Sequence, residues 1–232
     1  MASISTYVAG LDKALDGGIP EGNTVLIVGG PGTMKSTFAY SVLHRNAMNG
    51  TPGLFVSLEQ PASDVVQKMA ALGMPPLPED KLYVMDMSQL RLALRDKEKE
   101  KDWIKILSKL FEEAVNAGGY RLFVLDSLEV LYAIVEFKEV RRELFHFVGM
   151  LKELGFTPLL VAEVPLGAPA REGRPEDFLA DGIILLEQFP VGAMGVQLRM
   201  RCVKMRGSHH DRGYFLIDWE GGKFLATKAI QQ

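Results

Sequence analysis

From Val25 onward, short apolar runs alternate with longer stretches whose apolar residues recur every three or four positions. The runs Val25 to Val28, Leu54 to Leu58, Leu82 to Met85, Leu122 to Leu125, Pro158 to Ala162 and Ile183 to Leu186 read as strands. An uninterrupted run such as Val25 to Val28 is of the fully buried type. Helical spacing covers Ser36 to Asn46, Ala62 to Leu72, Asp102 to Ala117 and Val140 to Leu154, and in the first of these Phe38, Val42 and Leu43 share one side. Alternation of this kind predicts βαβ units and an α/β fold with a mostly parallel central sheet flanked by helices.

After Asp181 the pattern changes to shorter strands, Gln197 to Lys204, Tyr214 to Ile217 and Phe224 to Ala226, joined by glycine-containing turns that leave no room for helices. An antiparallel extension on one edge of the sheet is expected. The stretch Arg91 to Asp102 mixes both charge signs and reads as a solvated face. Pro165 to Glu176 and Ala133 to Glu139 each follow a strand and read as mobile loops. With no low-complexity linker and no internal repeat, residues 1–232 are expected to form one domain.

Composition narrows the class without choosing a function. The chain has 232 residues, 47% hydrophobic and 24% charged, enough for a sizeable core. A net charge of −3 gives no global argument for nucleic acid or an anionic membrane. No apolar run approaches the roughly 20 residues needed to span a bilayer, so no membrane segment is expected. The first residues lack a basic start followed by an apolar block, so no secretory leader is expected and the location reads as cytoplasmic. The single cysteine, Cys202, excludes an intramolecular disulfide framework and, beside Met200 and Val203, reads as a buried strand thiol.

The run Val25 to Val28 leads directly into Gly29-Gly30-Pro31-Gly32-Thr33-Met34-Lys35-Ser36-Thr37. This follows the phosphate-binding pattern G-x-x-x-x-G-K-[ST] with Met34 in place of the second glycine. In such a loop main-chain N–H groups surround phosphates, the lysine reaches the outer phosphates, and the hydroxyl binds Mg²⁺. Gly29 to Thr37 are therefore the expected nucleotide-binding residues, with Ser36 also a metal ligand. If the Met34 position requires positive φ, the side chain costs about 1–2 kcal/mol, which alters the loop without abolishing binding.

A metal at such a loop needs a carboxylate strand beside it. Leu122 to Leu125 ends in Asp126, which pairs with Ser36 as the expected Mg²⁺ ligand. Hydrolysis needs a group that orients or deprotonates water, and Glu59, just past Leu54 to Leu58, is placed for it. Glu163, at the end of TPLLVAEV, is a further polar group of the phosphate-sensing kind.

These motifs together resemble the KaiC-like branch of the RecA superfamily of P-loop NTPases, over nearly the whole chain. Gly10 to Thr33 is similar to that family's opening, Ser57-Leu58-Glu59 to its catalytic strand, Leu125-Asp126-Ser127 to its metal strand, and Asp181-Gly182-Ile183 to its turn into a late strand. Val203 to Tyr214 resembles its Lys-x-Arg-Gly hairpin, whose basic residues reach the γ-phosphate held by a neighbouring subunit. The resemblance implies ATP and Mg²⁺ as ligands, Lys204 and Arg206 as fingers acting on the next subunit, and His210 as an additional nucleotide contact. Strand alternation independently places Lys204 and Arg206 on one face, where both can reach one anion. An arginine finger is worth about 10³–10⁵ in rate. The chain departs from the family at Glu59-Gln60, where adjacent acidic residues are common, so slow hydrolysis is expected.

The reading that follows is an ATPase that forms a homo-oligomer, a hexameric ring or a filament, with ATP at subunit interfaces acting as a regulatory or assembly switch. An alternative is a DNA-binding recombination or repair accessory of the RecA/RadA type. It rests on Arg171 and Arg174, whose acidic neighbours Glu172, Glu176 and Asp177 make a poor phosphate track. A third is a nucleotide-binding scaffold without turnover.

Overall fold

The computed structural model describes residues 2–86, 88, 103–135, 137–164, 175–192 and 195–228. The whole charged stretch 91–102, and residues 165–174 with Arg171 and Arg174, lie outside them. The strands are β1 (Ser3–Ile4), β2 (Ile19–Pro20), β3 (Val25–Gly29), β4 (Gly53–Ser57), β5 (Leu82–Asp86), β6 (Leu122–Asp126), β7 (Thr157–Glu163), β8 (Gly182–Val191), β9 (Gly195–Met205), β10 (Phe215–Glu220) and β11 (Lys223–Lys228). The described helices are α1 (Leu11–Ala14), α2 (Lys35–Met48), α3 (Ala62–Ala71), α4 (Trp103–Gly118), α5 (Leu128–Ile134), α6 (Val140–Glu153) and α7 (Pro175–Leu179).

Nine strands form one sheet in the order β11-β10-β9-β8-β3-β7-β6-β4-β5. From β8 to β5 the pairings are parallel, while β9, β10 and β11 continue the sheet antiparallel on one edge. The expected architecture is thus the one observed. The apolar runs are continuous because both faces of the parallel strands are covered. Val25 and Ile27 pack with Phe38 and Val42 of α2 and Val65 and Met69 of α3, whereas Leu26 and Val28 pack with Phe111 of α4, Leu131 of α5 and Phe147 of α6.

The antiparallel strands contribute to only one of these layers. Met200, Cys202, Phe215 and Ile217 face the α2 side, while Arg199 and Arg201 face the other and stack on Tyr214, at 4.0 and 5.1 Å from its ring centre. That one-sided burial is why these strands alternate in sequence. Cys202 is the buried strand thiol its neighbours implied, and burial pushes it up to about 12.

Several elements escaped the periodicity. β8 runs to Val191, five residues past the expected end, because its second half leaves β3 and pairs with β9 alone, from Glu187↔Arg199 to Val191↔Gly195. Ala133 and Ile134, expected to open a loop, finish α5, and Glu176, expected in a loop, is buried in α7 with its Oε2 accepting from the Tyr132 hydroxyl at 3.0 Å. β1 and β2 pair with each other beside α1, where the Asp12 carboxylate accepts hydrogen bonds from Ser5, Thr6 and Tyr7.

Candidate functional site

The turn between β3 and α2 sits at the carboxyl edge of the sheet, where β4, β6 and β7 also end. Gly29 has no room for a side chain, since a Cβ there would lie 2.4 Å from the Leu186 carbonyl oxygen and 2.5 Å from Thr33 Oγ1. Met34 stands in the left-handed conformation, φ 64° and ψ 26°, the backbone state that a glycine at this place supplies freely. Its partly buried side chain packs on the α2-side core, which offsets some of the conformational cost.

The loop is held open by its own polar groups. Thr33 Oγ1 and Lys35 Nζ each donate to the Gly30 carbonyl at 2.8 Å. Among the described residues, none accepts a hydrogen bond from the main-chain N–H of Thr33, Met34, Lys35 or Ser36. Together with the start of α2 these donors form a concentrated anion site.

Beside the loop, Ser36 Oγ donates to Asp126 Oδ1 at 3.0 Å. Asp126 is 5% exposed, and burial pushes its carboxyl up to about 6; the neighbouring Glu59 charge adds to the rise, while the Ser36 hydrogen bond and Lys35 oppose it. A hydroxyl and a buried carboxylate next to a phosphate loop form an all-oxygen donor set, the chemistry that suits Mg²⁺. Ser127, joined to Asp126 by a cis peptide, donates from its Oγ to Glu59 Oε1 at 2.7 Å. Gln60 turns away: its Oε1 accepts from Lys68 Nζ of α3 at 2.5 Å.

A cavity of about 350 Å³ gathers these groups. Pro31, Gly32, Thr33, Met34, Lys35, Ser36, Thr37, Glu59 and Asp126 line it, and so do Ser127, Val161 and Glu163. Gly29 and Gly30 shape the turn beneath it. The expected phosphate, metal and water-activating residues therefore meet at one place.

Lys204, Arg206 and His210 do not. Met205 pairs with Gly182, which pairs with Val25 at the start of β3, four strand steps of ~3.3 Å below the loop. The register slips between Ile183 and Ile184, so the simple alternation expected for Lys204 and Arg206 is interrupted by a bulge. Both still converge on the junction of α7 and β8. Lys204 Nζ donates to the carbonyls of Asp177 and Ala180 at 3.2 and 2.5 Å, and Arg206 Nη1 lies 3.4 Å from Asp181 Oδ1. The Arg206 side chain is 58% exposed, whereas that of Asp181 is 15% exposed and also binds Lys152 at 2.6 Å. His210 lines a separate cavity of about 750 Å³ with Lys13, Arg212 and Lys228.

Sequence reasoning missed Ser127 as the partner of Glu59, although it stood inside the quoted Leu125-Asp126-Ser127. It also missed Gln188, whose Nε2 donates to the Gly32 carbonyl at 3.2 Å. No spacing signal links positions 156 residues apart.

No helix among the described residues is long and apolar enough to cross a membrane. The family model described as "ATPase: KaiC" matches residues 4–223. The chain is 31% identical over 231 residues to the circadian clock protein KaiC2 of Synechocystis sp., covering 97% of itself but 40% of that longer protein. It is 30% identical over 241 residues to a UPF0273 protein of Thermotoga maritima, covering 95% of itself and 98% of the relative. A crystal structure of a KaiC-like protein from Pyrococcus horikoshii OT3 superposes with a TM-score of 0.81 at 27% identity, over 97% of this chain and 98% of that one. With the loop between β3 and α2, Asp126 beside it and this match over nearly its full length, the chain belongs to the KaiC family of RecA-like P-loop ATPases.

Proposed function

We propose that residues 1–232 form a single cytoplasmic ATPase domain that binds Mg-ATP between copies of itself and uses the bound nucleotide as an assembly switch. The observation that carries this reading is the separation of two half-sites. Lys35, Ser36, Asp126 and Glu59 share the cavity at the carboxyl edge of the sheet, while Lys204 and Arg206 lie at the opposite edge. An offset of four strand steps of ~3.3 Å between the two groups favours fingers supplied by another copy of the chain. A heterologous contact, repeated into a ring or a filament, brings the two halves together.

In this reading the N–H groups of Thr33 to Ser36 grip the phosphates, and Lys35 leaves the Gly30 carbonyl to join them. Ser36 and Asp126 would hold Mg²⁺, which when bound offsets phosphate charge. Glu59, steadied by Ser127, orients and deprotonates the attacking water. Arg206 of the next copy faces the γ-phosphate, with Lys204 and His210 beside it. Hydrolysis is slow because Gln60 supplies no second carboxylate and its amide oxygen is held by Lys68. Loss of the γ-phosphate removes a bridge between subunits, which couples turnover to assembly.

Native mass by light scattering, with and without Mg-ATP, tests the reading. A nucleotide-dependent rise in mass is expected, alongside phosphate release that Glu59→Gln and Arg206→Ala both reduce. Monomers under all conditions would refute the interface site. Wild-type turnover indistinguishable from both variants, with nucleotide still bound, would leave a scaffold without catalysis.

A further inference from the structure

The second half of β8 and its partner in β9 form a two-stranded arm that rises beyond the end of β3 and passes beside the phosphate loop. Among the described residues, a side chain joins arm to loop: Gln188 Nε2 donates to the Gly32 carbonyl. Gly32 lies at φ 73°, and a Cβ there would sit 3.4 Å from that same Nε2. A trans peptide directs its C=O and its following N–H to opposite sides. Holding the Gly32 oxygen outward on Gln188 therefore turns the Thr33 N–H inward, and that N–H has no protein acceptor among the described residues. Thr33 Oγ1 and Lys35 Nζ fix the preceding carbonyl, Gly30, in a similar way, but the peptide after it belongs to Pro31 and has no N–H to aim. Of the two braced carbonyls, only the one held by Gln188 orients a phosphate donor.

We propose that Gln188 is a positioning residue of the phosphate site: from the β8–β9 arm it presets the Gly32–Thr33 peptide so that the Thr33 N–H meets a nucleotide phosphate. This rests on the nucleotide-binding reading given above. Preorganised donors cost no reorientation on binding, so the effect is on affinity for the phosphate chain and not on the water-activating group.

The test is calorimetric titration of the full chain with Mg-ADP, with turnover measured in parallel. Gln188→Ala is expected to weaken binding about 3- to 10-fold, the worth of one neutral hydrogen bond, and to raise KM while kcat holds. Gln188→Glu, which cannot donate and adds negative charge, is expected to weaken it further. Val196→Ser, 69% exposed on the opposite strand of the arm, serves as the control and is expected to bind like wild type. Melting temperatures of all variants should match the wild type. Unchanged affinity in Gln188→Ala would overturn the proposal, and so would equal weakening in Gln188→Ala and Val196→Ser, which would make the arm's packing responsible. Wild-type protein that binds no Mg-ADP would overturn the nucleotide reading itself, and this inference with it.

Discussion

The Ser127 hydroxyl donates to Glu59 Oε1 at 2.7 Å, which ties the carboxylate two residues past the end of β4 to the residue that follows Asp126 at the end of the neighbouring strand β6. The contact survives if Glu59 becomes glutamine, because an amide oxygen accepts the same hydrogen bond. If Glu59 is the base proposed above, Glu59→Gln removes it with little change of shape. Turnover is expected to fall by about 10²-fold or more, while affinity for ATP stays within about threefold. Phosphate release and equilibrium binding on one preparation check both halves.

Met34 carries a side chain at φ 64°. Replacing it separates backbone strain from packing. Alanine gives up the packing and keeps the strain, whereas glycine gives up the packing and loses the strain. Met34→Gly is expected to be more stable than Met34→Ala by about 1 kcal/mol, or ~2–4 °C in melting temperature, the reverse of the usual order near a helix. Thermal unfolding of the two variants decides it.

His44, on the helix that follows the phosphate loop, is 1% exposed, with Nε2 2.8 Å from the Pro75 carbonyl oxygen and no described partner for Nδ1. Burial lowers its pKa below the ordinary 6.5; the Pro75 hydrogen bond opposes this and the Arg45 charge adds to it. The folded state thus resists a proton that the unfolded chain accepts, so this contribution to stability is intact above pH 6.5 and is lost as the pH falls below it. His44→Gln keeps a donor for Pro75 and abolishes the titration. Its unfolding free energy should decline less steeply between pH 6.5 and 5 than that of the wild type, as read by denaturant melts.

How much of this was legible in the sequence depended on how local the cause was. The parallel strands could be read because burial on both faces leaves a continuous apolar trace, and their carboxyl ends fixed the positions of Lys35, Glu59 and Asp126 together. Helix α5 was lost because its seven residues, LEVLYAI, are apolar nearly throughout and too short to show a period. The arm of β8 was lost because Gln188 and Pro190 lie beyond the core and carry no burial signal. The bulge beside Lys204 follows from how β9 meets β8, which no single strand records. Positive φ at Met34 was foreseen as a condition of the motif, and its side chain's place in the core was not.

If one ATP site is built from two chains, variants broken in different halves of it restore each other on mixing. Lys35→Ala breaks the phosphate loop and Arg206→Ala breaks the finger, so each variant alone should hydrolyse ATP poorly. Co-assembled in equal amounts, about a quarter of the interfaces unite an intact loop from one chain with an intact finger from the other. ATP hydrolysis is expected to recover on mixing to a similar fraction of the wild-type rate. Mixtures no more active than the separate variants, or Arg206→Ala protein that turns over like the wild type, would contradict a site built from two chains.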